Sequence, residues 1–187
     1  MSPGALWTFA VAVYGAPGVS QGLLRLQDEA GQNVPLLLWA LWADPDPDRL
    51  REAAVLARAW DEAAIAPLRR LRRGLKAPPA ALSTPAVQAL RGEVQALELW
   101  AEQHLLEALE TLTRSPAPPA RPDDAARRLT RAAQAWGAPA GPDLSALIAD
   151  LASVLPQDPP IPQGPDPITE FHLSERALRP PLPRPDK

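Results

Sequence analysis

The segment that most constrains this chain is the run from Leu36 to Trp42, which is apolar at every position. A run this short fits either a central β-strand or a buried helix, but it lacks β-branched residues and no second segment could pair with it as a strand. Asn33 lies just before it and can cap a helix. The run therefore predicts a central, fully buried helix, which other helices must surround.

Helical spacing also occurs before this run. Apolar residues repeat at intervals of three and four over residues 6–13 and 19–30, which is typical of one buried helix face. Gly15, Pro17 and Gly31 separate these segments from each other and from the central run. We therefore expect two short helices that pack against the central one.

Two longer helices are predicted after the central run. Asp46 with Pro47 is a start signal for a helix that continues to Lys76, with a kink at Pro67. Thr84 starts the longest helix. Its outer positions predict a solvated acidic face, formed by Glu93, Glu98, Glu102 and Glu110. The fold class predicted is all-α, a compact bundle of about five helices with Leu37, Leu38 and Leu41 at its centre.

Proline divides the chain into three parts. The sequence contains 25 Pro, which become frequent after Arg114. We expect a helical core domain over residues 1–115, a Pro-interrupted extension with one or two weaker helices over residues 116–155, and a Pro-rich, largely extended tail over residues 156–187. Within this tail an apolar island offers three candidate anchors for another protein, namely Phe171, Leu173 and Leu178.

Composition excludes several classes of function. The chain has no Cys, so it has no disulfide scaffold, thiolate metal site or Cys nucleophile, and its formal charge of -3 is too small to indicate a partner. The apolar stretch from Leu6 to Val13 has no preceding basic residue and is too short for a bilayer, so we expect a buried helix, no membrane span and a cytoplasmic location.

Catalytic and metal-binding motifs are not recognisable either. His104 and His172 are the two histidines, and neither belongs to a catalytic or metal-binding motif. Asp44, Asp46 and Asp48 alternate like the start of a calcium loop, but the later positions lack the required Gly and Glu, so helix capping is expected instead. We predict no catalytic residue, no cofactor and no metal, and we favour a non-enzymatic function.

Two blocks of the sequence resemble one bacterial family. The first block comprises Leu6 to Ala10, Tyr14, Pro17 to Val19, Leu23, Leu24, Leu26 to Asp28, Gly31, Val34 and Leu36 to Trp39 with Trp42. The second comprises Trp60 and residues 67–76. Together they resemble the family catalogued as domain of unknown function 2390, over about residues 5–112. The resemblance implies an all-helical domain without an assigned activity.

Polar residues between two apolar helices, with large rings nearby in the sequence, indicate a candidate ligand pocket. Its predicted members are Trp7, Tyr14, Gln27, Asp28, Asn33, Trp39 and Trp42. Aromatic walls with a few polar groups are typical of small-molecule sites. The alternative is structural, because Gln27 and Asp28 could satisfy helix-end backbone groups while the Trp side chains fill the core.

A basic cluster is the strongest predicted surface feature. It contains Arg69, Arg70, Arg72, Arg73 and Lys76, with Leu68, Leu71 and Leu75 expected to face inward between the charges. The cations could pair with the Glu residues of the following helix, or they could bind a protein with an acidic surface or an anionic ligand. Nucleic acid is disfavoured because no aromatic residues for base stacking are interleaved with the charges.

Two functional classes remain open at this point. The favoured class is a non-enzymatic interaction or regulatory protein that uses the basic helix face and the Pro-rich tail. The alternative is a small-ligand-binding protein, or an unusual enzyme, with a Trp-lined pocket near Gln27, Asp28 and Asn33.

Overall fold

The computed structural model describes residues 4–82, 84–113, 117, 121–137 and 144–156. In these ranges it is all-α, as predicted, and contains no β-strand. The α-helices are α1 (Ala5–Tyr14), α2 (Val19–Ala30), α3 (Val34–Ala43), α4 (Pro47–Trp60), α5 (Ala66–Gly74), α6 (Pro85–Thr111), α7 (Pro122–Trp136) and α8 (Leu144–Val154). The candidate tail anchors Phe171, Leu173 and Leu178, and also His172, lie outside the described residues.

Helix α3 is the central helix, which confirms the prediction from its apolar run. It contacts α1, α2, α4, α6 and α7. Leu37, Leu38 and Leu41 are buried in the core. The side-chain oxygen of Asn33 accepts a hydrogen bond from the backbone N–H of Leu36 at 3.0 Å, so the predicted cap is also confirmed.

The start signals of the two longer helices are confirmed as well. A carboxylate oxygen of Asp46 accepts hydrogen bonds from the backbone N–H groups of Asp48 and Arg49, each at 2.9 Å. Thr84 precedes α6, and its hydroxyl accepts from the backbone N–H of Val87 at 3.4 Å. Both caps satisfy N–H groups that have no partner inside the helix.

A π-helical segment lies just before Pro67, the residue at which the sequence predicts a kink. Asp61–Ile65 connects α4 to α5, and the backbone N–H of Ala66 bonds to the carbonyl of Asp61, five residues earlier. Pro67 has no N–H, and its ring crowds the carbonyl of the preceding turn. One wider turn just before it relieves this crowding, so the chain continues directly into α5.

Helices α7 and α8 lie beyond the predicted core boundary near residue 115, yet they bury side chains in the same apolar cluster as α1 to α6. Helix α7 packs against α3 and α4, and α8 packs between α2 and α7. Leu129, Leu147 and Leu151 are almost fully buried. None of the helices in the described ranges is long and apolar enough to cross a membrane.

Two predictions about the surface of α5 and α6 are wrong. Glu98 is 5% exposed and is buried against α5, so it does not belong to a solvated acidic face. Glu110 accepts hydrogen bonds from the backbone N–H groups of Ala5 and Leu6, and it thereby caps α1. Leu71, which was expected to face inward, is 50% exposed.

Candidate functional site

A cavity of about 400 Å³ lies between α1, α3 and α6. Helix α1 and the residue after it contribute Trp7, Ala10, Val11, Tyr14 and Gly15. Helices α3 and α6 contribute Val34, Leu38, Leu99, Glu102 and Leu106. A concave, mostly apolar cavity of this volume with few polar groups is typical of sites for small molecules.

Helix periodicity explains which side chains line the cavity. Trp7, Ala10, Val11 and Tyr14 are spaced i, i+3, i+4 and i+7, so they share one face of α1. Leu6, Ala12 and Val13 are buried on the adjacent faces of α1. The helix therefore has enough apolar surface to serve both the core and the cavity wall.

Glu102 is the charged residue among the described cavity-lining residues. Its side chain is 19% exposed, and its Oε1 accepts a hydrogen bond from Nη2 of Arg69 at 3.1 Å. Burial raises the pKa of Glu102 to about 7, because the positive charge of Arg69 only partly offsets the loss of solvent and the negative charge of Glu98. The carboxyl group therefore changes its charge near neutral pH.

A cluster of buried charges lies behind Glu102. Nε of Arg69 donates to Oε1 of Glu98 at 3.0 Å, and Arg72 donates to the other oxygen of Glu98. Asp61, in the π-helical segment, lies 4.0 Å from Arg69, and burial raises its pKa above the usual range. Each of these five side chains is less than a quarter exposed. The cluster thus combines three carboxyl groups with two guanidinium groups.

Tyr14 adds a polar group to the cavity wall. Tyr14 is 37% exposed, but the protein around it removes part of its solvent. This desolvation, together with the negative charge of Glu102, raises the pKa of the Tyr14 phenol above its usual range, so the group stays protonated at physiological pH. Within the described part of the chain its hydroxyl makes no hydrogen bond. It is therefore a free donor and acceptor in the cavity.

The structure places two members of the predicted ligand pocket, Trp7 and Tyr14, in the cavity wall. Asn33 does not line the cavity, but it is close to the charge cluster. Its side-chain oxygen, Oδ1, caps α3, and its side-chain nitrogen, Nδ2, donates to Oδ1 of Asp61 at 3.3 Å. Asn33 thus connects the start of the central helix to the π-helical segment.

The other four predicted pocket residues lie away from the cavity. Gln27 donates to Asp28, and Asp28 forms an ion pair with Arg73 at the surface. Trp39 is fully buried and donates from Nε1 to the hydroxyl of Thr113 at 2.7 Å. Trp42 packs against the core from a partly exposed position. These rings therefore fill the core, which was the structural alternative.

The basic cluster divides into paired and exposed cations. Arg69 and Arg72 both pair with the buried Glu98 of α6, and Arg73 pairs with Asp28 on α2. Arg70 and Lys76 are exposed. Ion pairing within the protein, one of the three explanations offered for this cluster, therefore applies to Arg69, Arg72 and Arg73.

A second concavity is more polar and is lined by Trp39, Asp44, Asp46 and Arg49 among others. Asp44 has a left-handed φ of 42° and pairs with Arg131 at 3.1 Å, while Asp46 caps α4. In the described ranges no group of three His, Asp or Glu side chains is placed to hold a metal ion. His104 is exposed and bonds through Nδ1 to the carbonyl of Trp100 at 2.8 Å.

Sequence reasoning missed Glu102 as a site residue. One available signal was its spacing, since Leu99, Glu102 and Leu106 are in phase on α6. An acidic residue within an apolar stripe is expected to be at least partly buried, whereas one on a solvated face is exposed. The burial of its partner Arg69 could not be anticipated, because the contact joins two residues that are 33 positions apart in the chain and lie on different helices.

A protein-family model described as "Protein of unknown function (DUF2390)" matches residues 5–109, which is more than half of the chain. These residues include every side chain that lines the cavity. Neither the curated proteins nor the solved structures contain a significant match to the sequence or the fold.

Proposed function

This chain belongs to the DUF2390 family of unknown function, and we propose that it binds a small, largely apolar molecule in the cavity between α1, α3 and α6. The observation that carries the proposal is the cavity itself, whose wall combines apolar residues, two aromatic side chains and one partly buried carboxyl group. Apolar cavities with a few convergent polar groups and a residue of perturbed pKa are typical binding sites.

The proposed activity is binding without catalysis. Glu102 and Tyr14 are the ionisable residues among the described lining, and both carry raised pKa values. A carboxyl group and a protonated phenol can orient a ligand by hydrogen bonding. The remaining lining residues are apolar and supply contact area, which favours a ligand-binding role.

A titration with indole tests this proposal. We expect saturable shifts of the Trp7 indole N–H resonance in NMR spectra, since Trp7 lines the cavity. Val11 is a partly exposed lining residue, so V11W should fill the cavity and abolish these shifts. The matched control is V55W, because Val55 lies outside the cavity and is 67% exposed. Equal indole binding by V11W and wild type would contradict the proposal.

Protein binding through the basic helix is a second proposal. It is favoured by the exposed cations Arg70 and Lys76 and by the half-exposed Leu71 between them. Exposed charges of one sign beside an apolar side chain fit a partner with an acidic surface. The cytoplasm, where such a partner would be met, is the proposed location.

A short polyglutamate peptide tests this second proposal at low ionic strength. The double variant R70E/K76E should abolish peptide binding and change the melting temperature little, because both cations are exposed and solvent screens the effect of Arg70 on Asp61. R49E is the control, since Arg49 pairs with Glu52 on α4. Undiminished binding by R70E/K76E would contradict a role for this surface.

A further inference from the structure

We infer that the cavity selects a small organic monocation, an amine or quaternary ammonium with an apolar body, and that the Glu102 carboxylate is the group that recognises its charge. The inference rests on the proposed ligand-binding function and specifies the class of ligand. Its basis is the arrangement of Glu102, Arg69 and the aromatic lining of the cavity.

The cavity presents a negative charge and no positive one to its interior. Glu102 lines the cavity, whereas Arg69 is not among the lining residues and contacts the carboxylate from behind. The guanidinium of Arg69 is already held by three carboxyl groups of the protein, because Nε bonds to Glu98, Nη2 bonds to Glu102 and Nη1 lies 4.0 Å from Asp61. An anionic ligand would therefore meet a carboxylate of like charge, with no cationic side chain among the described lining residues.

The buried charges behind the cavity do not balance. Asp61, Glu98 and Glu102 can carry three negative charges, while Arg69 and Arg72 carry two positive ones. Arg70 also acts on Asp61, but its side chain is exposed, where solvent screens its charge. A surplus carboxylate in poorly solvated surroundings must either take up a proton or acquire a cationic partner.

The aromatic lining favours the cationic partner. Trp7 and Tyr14 line the same cavity as Glu102, and aromatic rings attract organic cations through their π-electrons. The hydrogen-bonding capacity of the Tyr14 hydroxyl is unused within the described ranges. Apolar residues from α3 and α6, such as Leu38 and Leu106, would contact the body of the ligand.

The pH dependence of binding follows from the groups that face Glu102. Arg69 and Arg72 on α5 and Glu98 on α6 act on the carboxyl group of Glu102. Tyr14 on α1 is also close, since the charge of Glu102 raises the pKa of the Tyr14 phenol. A cation binds the ionised carboxylate, so its affinity should rise with pH until Glu102 is fully deprotonated. With a pKa of about 7, binding at pH 5.5 should be about 30-fold weaker than at pH 8.

Three probes of similar shape and different charge test the inference: benzyltrimethylammonium, the neutral neopentylbenzene and the anionic phenylmethanesulfonate. None of them titrates in this range, so any pH dependence belongs to the protein. We expect the cation to bind at least about 10-fold more tightly than the neutral probe at pH 8 and the anion to bind most weakly. NMR titration of the Trp7 resonance measures all three.

The variant E102Q separates charge recognition from cavity shape. It should weaken binding of the cation at least about 10-fold, abolish its pH dependence and leave binding of the neutral probe unchanged. E107Q is the matched control, because Glu107 is an exposed residue of the same helix and does not line the cavity. Wild-type and E107Q proteins should give the same three affinities.

Two results would overturn the inference and leave the proposed function intact. The first is equal affinity for the cationic and neutral probes, and the second is tightest binding of the anion, which would make Arg69 the recognition group. If indole and all three probes fail to bind, both the inference and the proposed function are wrong.

Discussion

Nη2 of Arg69 donates to Oε1 of Glu102 at 3.1 Å, and the two side chains are largely shielded from solvent, Arg69 being 13% exposed and Glu102 19% exposed. This contact joins the wall of the cavity to the buried charge cluster between α5 and α6. Arg69 also bonds to Glu98, so one guanidinium group pairs with two carboxyl groups. The packing of α5 against α6 therefore depends on the ionisation state of the Glu102 carboxyl group.

Replacing Arg69 should therefore be costly. R69M leaves the buried Glu98 with one fewer cation, and the loss of a partner from a buried ion pair typically costs about 3 kcal/mol in the free energy of unfolding. The control is R73M, because Arg73 and Asp28 are both about half exposed and such a pair is worth about 1 kcal/mol or less. Urea unfolding of both variants measures the difference, and equal losses would contradict a central role for Arg69.

The ionisation of Glu102 should make stability fall as pH rises. Burial, the largest cause, raises its folded-state pKa from 4.5 to about 7, so the folded protein binds a proton that the unfolded chain releases. The resulting stabilisation is present below about pH 4.5 and is lost by about pH 7. It amounts to as much as about 3 kcal/mol.

Urea unfolding of wild type and E102Q from pH 4.5 to 8 tests this dependence. The difference in unfolding free energy between the two proteins should shift in favour of E102Q as pH rises. E107Q should follow wild type throughout, because Glu107 is exposed. A constant difference between wild type and E102Q would show that Glu102 has an ordinary pKa.

The central position of α3 predicts a strong effect of charge at Leu37, which is 1% exposed. L37D would place an unpaired carboxylate in the core, at a cost of at least about 4 kcal/mol, and should unfold the domain. L24D is the control, because Leu24 on α2 is 47% exposed and should lose about 0.5 kcal/mol or less. Circular dichroism distinguishes them, and a cooperative, wild-type melt of L37D would refute the placement of α3.

Truncation tests the contribution of α8. A chain that ends at Pro156 should keep its described helices and its melting temperature to within a few degrees. A chain that ends at Gly137 loses the buried side chains of Leu147, Ile148 and Leu151, which should cost about 5 kcal/mol or more. Thermal melts compare the two, and a stable chain ending at Gly137 would show that α8 is dispensable.

Local signals in the sequence were sufficient to predict the helices and their starts. Asn33, Asp46 and Thr84 act on backbone groups within three residues of themselves, so their capping roles are visible without knowledge of the fold. The apolar run of α3 likewise specifies burial on all sides. These features depend on neighbouring residues alone.

The site depends on contacts between distant segments, which the sequence does not specify. Glu98 and Glu102 were expected on a solvated face because glutamate on a long helix usually is exposed. Glu98 is buried and Glu102 is partly buried, because Arg69, about 30 residues earlier, packs against them from α5. Asp28 and Trp39 were predicted to share a pocket with Trp7 because they are close in the chain. Their positions on α2 and α3 instead bring Asp28 to Arg73 and Trp39 to Thr113, away from the cavity.

Intermolecular nuclear Overhauser effects from bound indole test the central claim, the existence of a ligand site between α1, α3 and α6, most directly. We expect contacts from indole protons to the methyl groups of Val11, Leu38 and Leu106, which approach one another at this cavity. Contacts confined to exposed side chains such as Leu71 and Leu90, which lie outside the cavity, would contradict the claim.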